Sequence, residues 1–119
     1  MSLASLASRR YAEALIEAAG KDLATVAQEL VAFADLVESV DEFRHVLLNP
    51  AFSVEEEHRA LDAVMERMKL SDVTRRLLRL LAQRERMNEI RDIAETVRIQ
   101  EATIEAAIDS WRRWNNGAP

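Results

Sequence analysis

The segment Ser71-Asp72-Val73-Thr74-Arg75-Arg76-Leu77-Leu78-Arg79-Leu80-Leu81-Ala82-Gln83 decides the fold. At ~100° per residue, Val73, Leu77, Leu78, Leu80, Leu81 and Ala82 cover an arc of roughly 200°, opposite Arg75, Arg79 and Gln83. A strand would alternate; this order does not, and an amphipathic helix fits it. Ser71 or Asp72 stands where a cap is needed, and the helix should end around Gln83 to Glu85. A surface helix needs an apolar stripe only a little over ~100° wide, so one of about twice that width must be covered from two sides.

The start of the chain repeats the pattern. Arg9, Arg10, Glu13 and Glu17 fall into a sector of roughly 100°. Leu3, Ala7, Tyr11, Ala14, Leu15, Ile16, Ala18 and Ala19 spread over the remainder. Ser2 or Ser5 caps this helix, and Gly20 is a good residue to end it. Between the two lie plainer helices. Asp22 opens a second one that reaches about Ser39, with Leu23, Val26, Ala27, Leu30, Phe33, Ala34 and Val37 on a single stripe. Asp41 opens a short third, which stops at Asn49 because Pro50 disfavours helical geometry in the residue before it. Ser53 with Glu56 three residues on is a capping-box signature for a fourth. Leu61, Val64, Met65 and Met68 form its stripe, and its end falls near Lys69. A sixth helix begins near Met87 and meets no breaker before Asn115-Asn116-Gly117.

Composition supports an all-α reading. In 119 residues there are two glycines and two prolines, and hydrophobic residues make up 49% against 31% charged, which is the balance of a folded chain rather than a disordered one. Ala, Leu, Glu and Arg dominate, all strong helix formers, while β-branched residues never cluster. The formal charge of −5 argues against a general affinity for nucleic acid or anionic lipid. Without cysteine, disulfides and thiol chemistry are excluded, which fits a reducing compartment. No apolar run approaches the ~20 residues that cross a bilayer, so direct membrane insertion is not expected.

Enzymatic constellations are absent, and nothing calls for a cofactor. The sequence holds no Gly-rich phosphate loop, no Cys nucleophile and no Ser with a plausible His base. Glu42-Phe43-Arg44-His45 and Glu55-Glu56-Glu57-His58 are both Glu-x-x-His, the unit used twice in di-iron four-helix proteins. Here the two lie on short consecutive helices either side of Pro50, and the acids at 55 to 57 suit a helix N-terminus without any metal. His45 and His58 read as surface residues, and no metal is expected. Arg75, Arg76 and Arg79, with Arg84 and Arg86, form a basic strip, best read as a solvated face balanced by nearby acids. Two helices with surplus apolar face are either central helices enclosed by the rest, or walls of a groove for a partner helix.

Three motifs then meet a known family. Arg9-Arg10-Tyr11-Ala12-Glu13-Ala14-Leu15, Leu47-Leu48-Asn49-Pro50 followed by Phe52-Ser53, and the leucine-rich stretch Leu77 to Met87 occur in order and at the right separations. Together they resemble the N-terminal domain of the delta subunit (OSCP) of F-type ATP synthases, over about residues 5 to 97. The resemblance implies a compact six-helix bundle on top of the catalytic head. It implies a non-catalytic stator domain of the peripheral stalk, cytoplasmic and peripheral to the inner, energy-transducing membrane. A groove between helices one and five would receive the amphipathic N-terminal helix of an alpha subunit. Carried over residue by residue, the binding role falls on Ala7, Tyr11, Ala14, Leu15 and Ala18 and on Val73, Leu77 and Leu80, with Arg10 and Arg76 as rim charges. An RNA-binding helical domain of the NusB antitermination type, which also opens with an Arg-Arg segment, is the alternative; the acidic balance speaks against it.

Two departures stand out. The family continues into a second domain that this sequence does not contain, so it reads as an isolated domain or a short homologue. After about Val97 the motifs also stop, and residues 98–119 read as an extension of the 1–97 bundle. There Ile90, Val97, Ile104 and Trp111 recur every seven residues, with Ile93, Ile108 and Trp114 close to the same seam. This is either an exposed tail of the sixth helix or a segment that docks into a groove, its own or a neighbour's, and so a possible route to self-association.

Overall fold

The structure is a computed structural model and describes residues 5–117. Six α-helices follow one another: α1 (Leu6–Ala19), α2 (Leu23–Ser39), α3 (Asp41–Leu48), α4 (Val54–Met68), α5 (Asp72–Gln83) and α6 (Ile90–Gly117), with no strand among the described residues. The all-α expectation is met, with one adjustment. Five helices precede one long C-terminal helix, so the sixth helix of the bundle and the expected extension are a single element.

Local sequence sets most of the ends. Ser5 caps α1, its hydroxyl accepting from the Ser8 amide at 3.0 Å; Ser2 and Leu3 lie outside the described residues. Gly20 closes α1 with φ +52°, a conformation that L side chains resist. Asn49, extended before Pro50, ends α3. Ser53 and Glu56 make the reciprocal capping box at the start of α4. Asp22 differs from expectation. A 3-10 turn over Gly20–Asp22 carries the chain straight into α2, and the Asp22 side chain makes no capping bond.

The core lies where α2 and the first half of α6 pack together, with α1 against α6 on one side. The entire α2 stripe is buried, as its periodicity predicts. Phe33 meets Phe43 of α3 edge-on, ring centres 5.8 Å apart, a favourable aromatic geometry. Arg91 ties α6 to α2 from outside, donating to Asp35 at 2.6 Å and Glu38 at 2.7 Å. These two carboxylates, Glu38 first, hold the guanidinium above its ordinary pKa. On α6, Ile90, Ile93, Ala94 and Val97 are buried; Gln100 still lies beside α1, and Arg98 and Glu101 beside α2, and the helix leaves the bundle beyond them.

Candidate functional site

On α1 the residues facing the core are Ser8, Ala12, Leu15 and Ala19, spaced at 4, 3 and 4. Three of the four are small, so α1 lies close on α6. Tyr11, Ala14 and Ala18 fall on the adjoining flank, the first half-buried and the two alanines exposed. On α5 the core takes Thr74, Leu77, Leu78, Leu81 and Ala82, leaving Val73 and Leu80 half-buried. Most of the wide apolar arc of α5 is thus covered by its own neighbours, and one edge of it is not.

Those two flanks face one another. A groove of about 200 Å³ runs between them, with Tyr11, Ala14, Leu15 and Ala18 on one side and Val73, Arg76, Leu77 and Leu80 on the other. Leu15 and Leu77 are buried and form its floor. Arg76 is exposed and is the one charged side chain of the lining. Of the ten residues singled out by sequence, eight come together here. Ala7, half-buried one turn before Tyr11, and Arg10, exposed, are not part of the lining.

Both walls are anchored by carboxylates that sequence reasoning missed. Glu29 of α2 reaches the start of α5, accepting from the Ser71 amide at 2.6 Å, the Ser71 hydroxyl at 2.7 Å and the Thr74 hydroxyl at 2.8 Å. Glu89, just before α6, accepts from the hydroxyls of Ser5 and Ser8 at the start of α1 and from Arg86 at 3.2 Å. The Ser5 hydroxyl, with help from Arg86 and Ser8, lowers the Glu89 pKa below the usual carboxylate value against the opposing effect of burial. The available signal was a pair of hydroxyls one helical turn apart at a helix start, Ser5 with Ser8 and Ser71 with Thr74.

The basic strip is divided among separate tasks. Arg75 turns back to bond the Leu70 and Met65 carbonyls at the end of α4, Arg79 lies 3.6 Å from Asp62, and Arg86 holds Glu89. That leaves no row of arginines converging on a phosphate, so the RNA-binding alternative finds no support in this surface. Among the described residues, those of the two Glu-x-x-His units included, no three His, Asp or Glu side chains gather as metal ligands.

The sequence model of the ATP synthase delta (OSCP) subunit matches residues 7–110. The chain belongs to this family. The delta-family match runs past Val97, where the sequence motifs gave out, and takes in most of α6. Proteins called ATP synthase subunit delta are similar to the chain. The one from Myxococcus xanthus is 37% identical over 95 residues, covering 76% of this chain and 52% of that protein. The one from Syntrophus aciditrophicus is 30% identical over 94 residues, covering 77% and 52%. The chain therefore spans about half the length of the delta-subunit relatives it matches. No solved structure matches it closely enough to count as a relative. No helix among the described residues is long and apolar enough to cross a membrane.

Proposed function

We propose that this chain is a non-catalytic stator module of an F-type ATP synthase, working as a docking domain between the peripheral stalk and the catalytic head. The partner would be the amphipathic N-terminal helix of an alpha subunit, laid into the groove between α1 and α5. One observation carries the reading: in a chain of the delta family, an apolar groove of about 200 Å³ lies open between α1 and α5.

The chemistry suits that occupant. Ala14 and Ala18 offer almost no side chain, so a partner backbone can come close along α1, while Leu15 and Leu77 supply a greasy floor. Tyr11 presents a flat apolar body with a polar tip. Arg76 favours an acidic residue on the partner's outer edge. Burial at roughly 25 cal/mol per Å² sets the gross attraction, from which the ordering of the incoming helix subtracts. A coupling element that resists torque has to hold without reacting, and a pre-formed groove on a carboxylate-anchored pair of helices does that. In this reading residues 1–97 are the docking module, 98–119 extend it, and the protein works on the cytoplasmic side, peripheral to the energy-transducing membrane.

Calorimetry of the chain with an alpha-subunit N-terminal peptide tests the proposal. Saturable binding that is lost on blocking the groove is expected; a peptide that binds equally well to the blocked variant overturns it.

A further inference from the structure

A cleft of about 640 Å³ opens between the α3–α4 and α5–α6 connections, and none of its lining residues belongs to the groove between α1 and α5. Leu47 and Met87 face each other across it from the two connections, and both are buried. Phe52 is half-buried, while Leu48 and Val54 are 41% and 63% exposed. The polar residues of this stretch have local tasks. The Asn49 side-chain oxygen accepts from the Ala51 amide at 3.0 Å, and Ser53 caps α4. Neither task needs an exposed Leu48 or Val54.

The charged side chains of the lining are both acids, Glu57 and Glu85. Each stands where local structure favours another residue. Glu57 is the fourth residue of α4, where a helix start favours an apolar side chain packed on the residue before the cap, here Phe52. Glu85 follows the end of α5 at φ +56°, a place that glycine takes most readily. Among the described residues neither acid forms an ion pair. Burial raises the Glu57 carboxyl above its ordinary value; His58 opposes the shift and Glu85 adds to it. Local rules give way where a residue serves something beyond the fold.

We infer that this cleft receives a peptide segment of another protein in which a basic residue is flanked by apolar ones. The apolar neighbours lie on Leu48, Phe52 and Val54, and the cation sits between Glu57 and Glu85. Asn88, exposed in the lining, can both donate to and accept from a peptide backbone. Charge complementarity selects this occupant. Two unpaired carboxylates repel an acidic segment, and a purely apolar one would cover Glu57 without giving it a partner.

An amide-resolved NMR titration of the full chain with acetyl-Leu-Arg-Phe amide tests the inference. Saturable shifts are expected at Leu48, Phe52, Val54 and Asn88. The same peptide with Gln in place of Arg should bind at least about tenfold more weakly. Glu85→Gly relieves the left-handed strain and Glu57→Leu completes the apolar contact at the start of α4, so both should melt higher than the parent. Both should also bind the Arg peptide about tenfold more weakly. Higher stability with weaker binding separates a binding role from a structural one. Ala18→Glu, which blocks the other groove, should leave the titration unchanged. No saturable shift overturns the inference, as does equal affinity for the Gln peptide or parent-like binding by either acid variant. An acid variant that melts lower than the parent overturns it too, because the carboxylate would then serve the fold. Shifts centred on Tyr11 and Leu80 would place the peptide in the groove between α1 and α5 and reject this cleft.

Discussion

The Glu29 carboxylate on α2 accepts from both the backbone amide and the hydroxyl of Ser71, at 2.6 and 2.7 Å, and so caps α5 from another helix. Ser71 stands in the N-cap position, yet its own hydroxyl makes no capping bond because it is turned toward Glu29. A helix N-terminus carries unpaired amides and a partial positive charge, and a carboxylate meets both. Glu29→Ala should lower stability by about 1.5–3 kcal/mol, the range for hydrogen bonds to a charged group. Urea denaturation measures this directly. A change no larger than that of an ordinary surface substitution would show that the start of α5 holds without its carboxylate.

Glu89 gives the fold an acid-sensitive joint. Its carboxyl is held below the ordinary value of 4.5, first by the Ser5 hydroxyl and then by Arg86 and Ser8. A carboxyl with a folded pKa lower than its unfolded one stabilises fully above the unfolded value. That contribution fades as pH falls through the folded value. Glu89→Gln should therefore be less stable than the parent near neutral pH, by about 1–3 kcal/mol. The gap should narrow steadily below the ordinary value. Denaturation at a series of pH values compares the two proteins, and a gap that stays constant into acid would remove Glu89 from this role.

Two helix ends use the left-handed region in opposite ways. Gly20 closes α1 at φ +52°, and Lys69 closes α4 at φ +55° with a β-carbon that this conformation strains. Lys69→Gly should raise stability by about 0.5–1 kcal/mol, and Gly20→Ala should lower it by about 1 kcal/mol. Nothing lies within 4 Å of a β-carbon built at Gly20, so the loss would be backbone strain rather than a clash. Thermal melts of the two single variants are enough to check the signs.

What was legible in the sequence was local. The Ser53–Glu56 box, the stop before Pro50 and the buried stripe of α2 each depend on residues within a few turns. The surplus apolar width of α1 and α5 was legible too. How it divides between core and groove was not, because that depends on which neighbour lies on which flank. Ser8 and Ala12, left out of the apolar arc of α1, are among the most deeply buried residues on it. The anchors of both walls were out of reach for the same reason: Glu29 meets a residue 42 positions away and Glu89 one 84 positions away. Pairings at that range exist only once the helices have packed. The seven-residue rhythm of α6 shows the limit well, since Ile90 and Val97 are spent inside the bundle while Ile104 and Trp111 stand bare.

The groove itself is best probed at its exposed alanines. Leu77 is only 7% exposed, so a charge there would disturb the core and blur any binding result. Ala14 and Ala18 are exposed, and their replacement by Glu should change stability by no more than about 0.5 kcal/mol, the usual range for surface sites. Either carboxylate would project into the space that a partner backbone needs and would put an unpaired charge against an apolar face. Binding of the alpha-subunit peptide should weaken by at least about tenfold, equivalent to 1.4 kcal/mol. Tyr11→Ala, which removes a wall without adding charge, should cost more than about 1 kcal/mol of affinity, as truncation of an interface aromatic does. Arg76→Glu should weaken binding in low salt and much less in high salt if it acts as a rim charge. Isothermal calorimetry separates the three. Unchanged affinity in both alanine variants would mean that the helix, if it binds at all, binds elsewhere on the bundle.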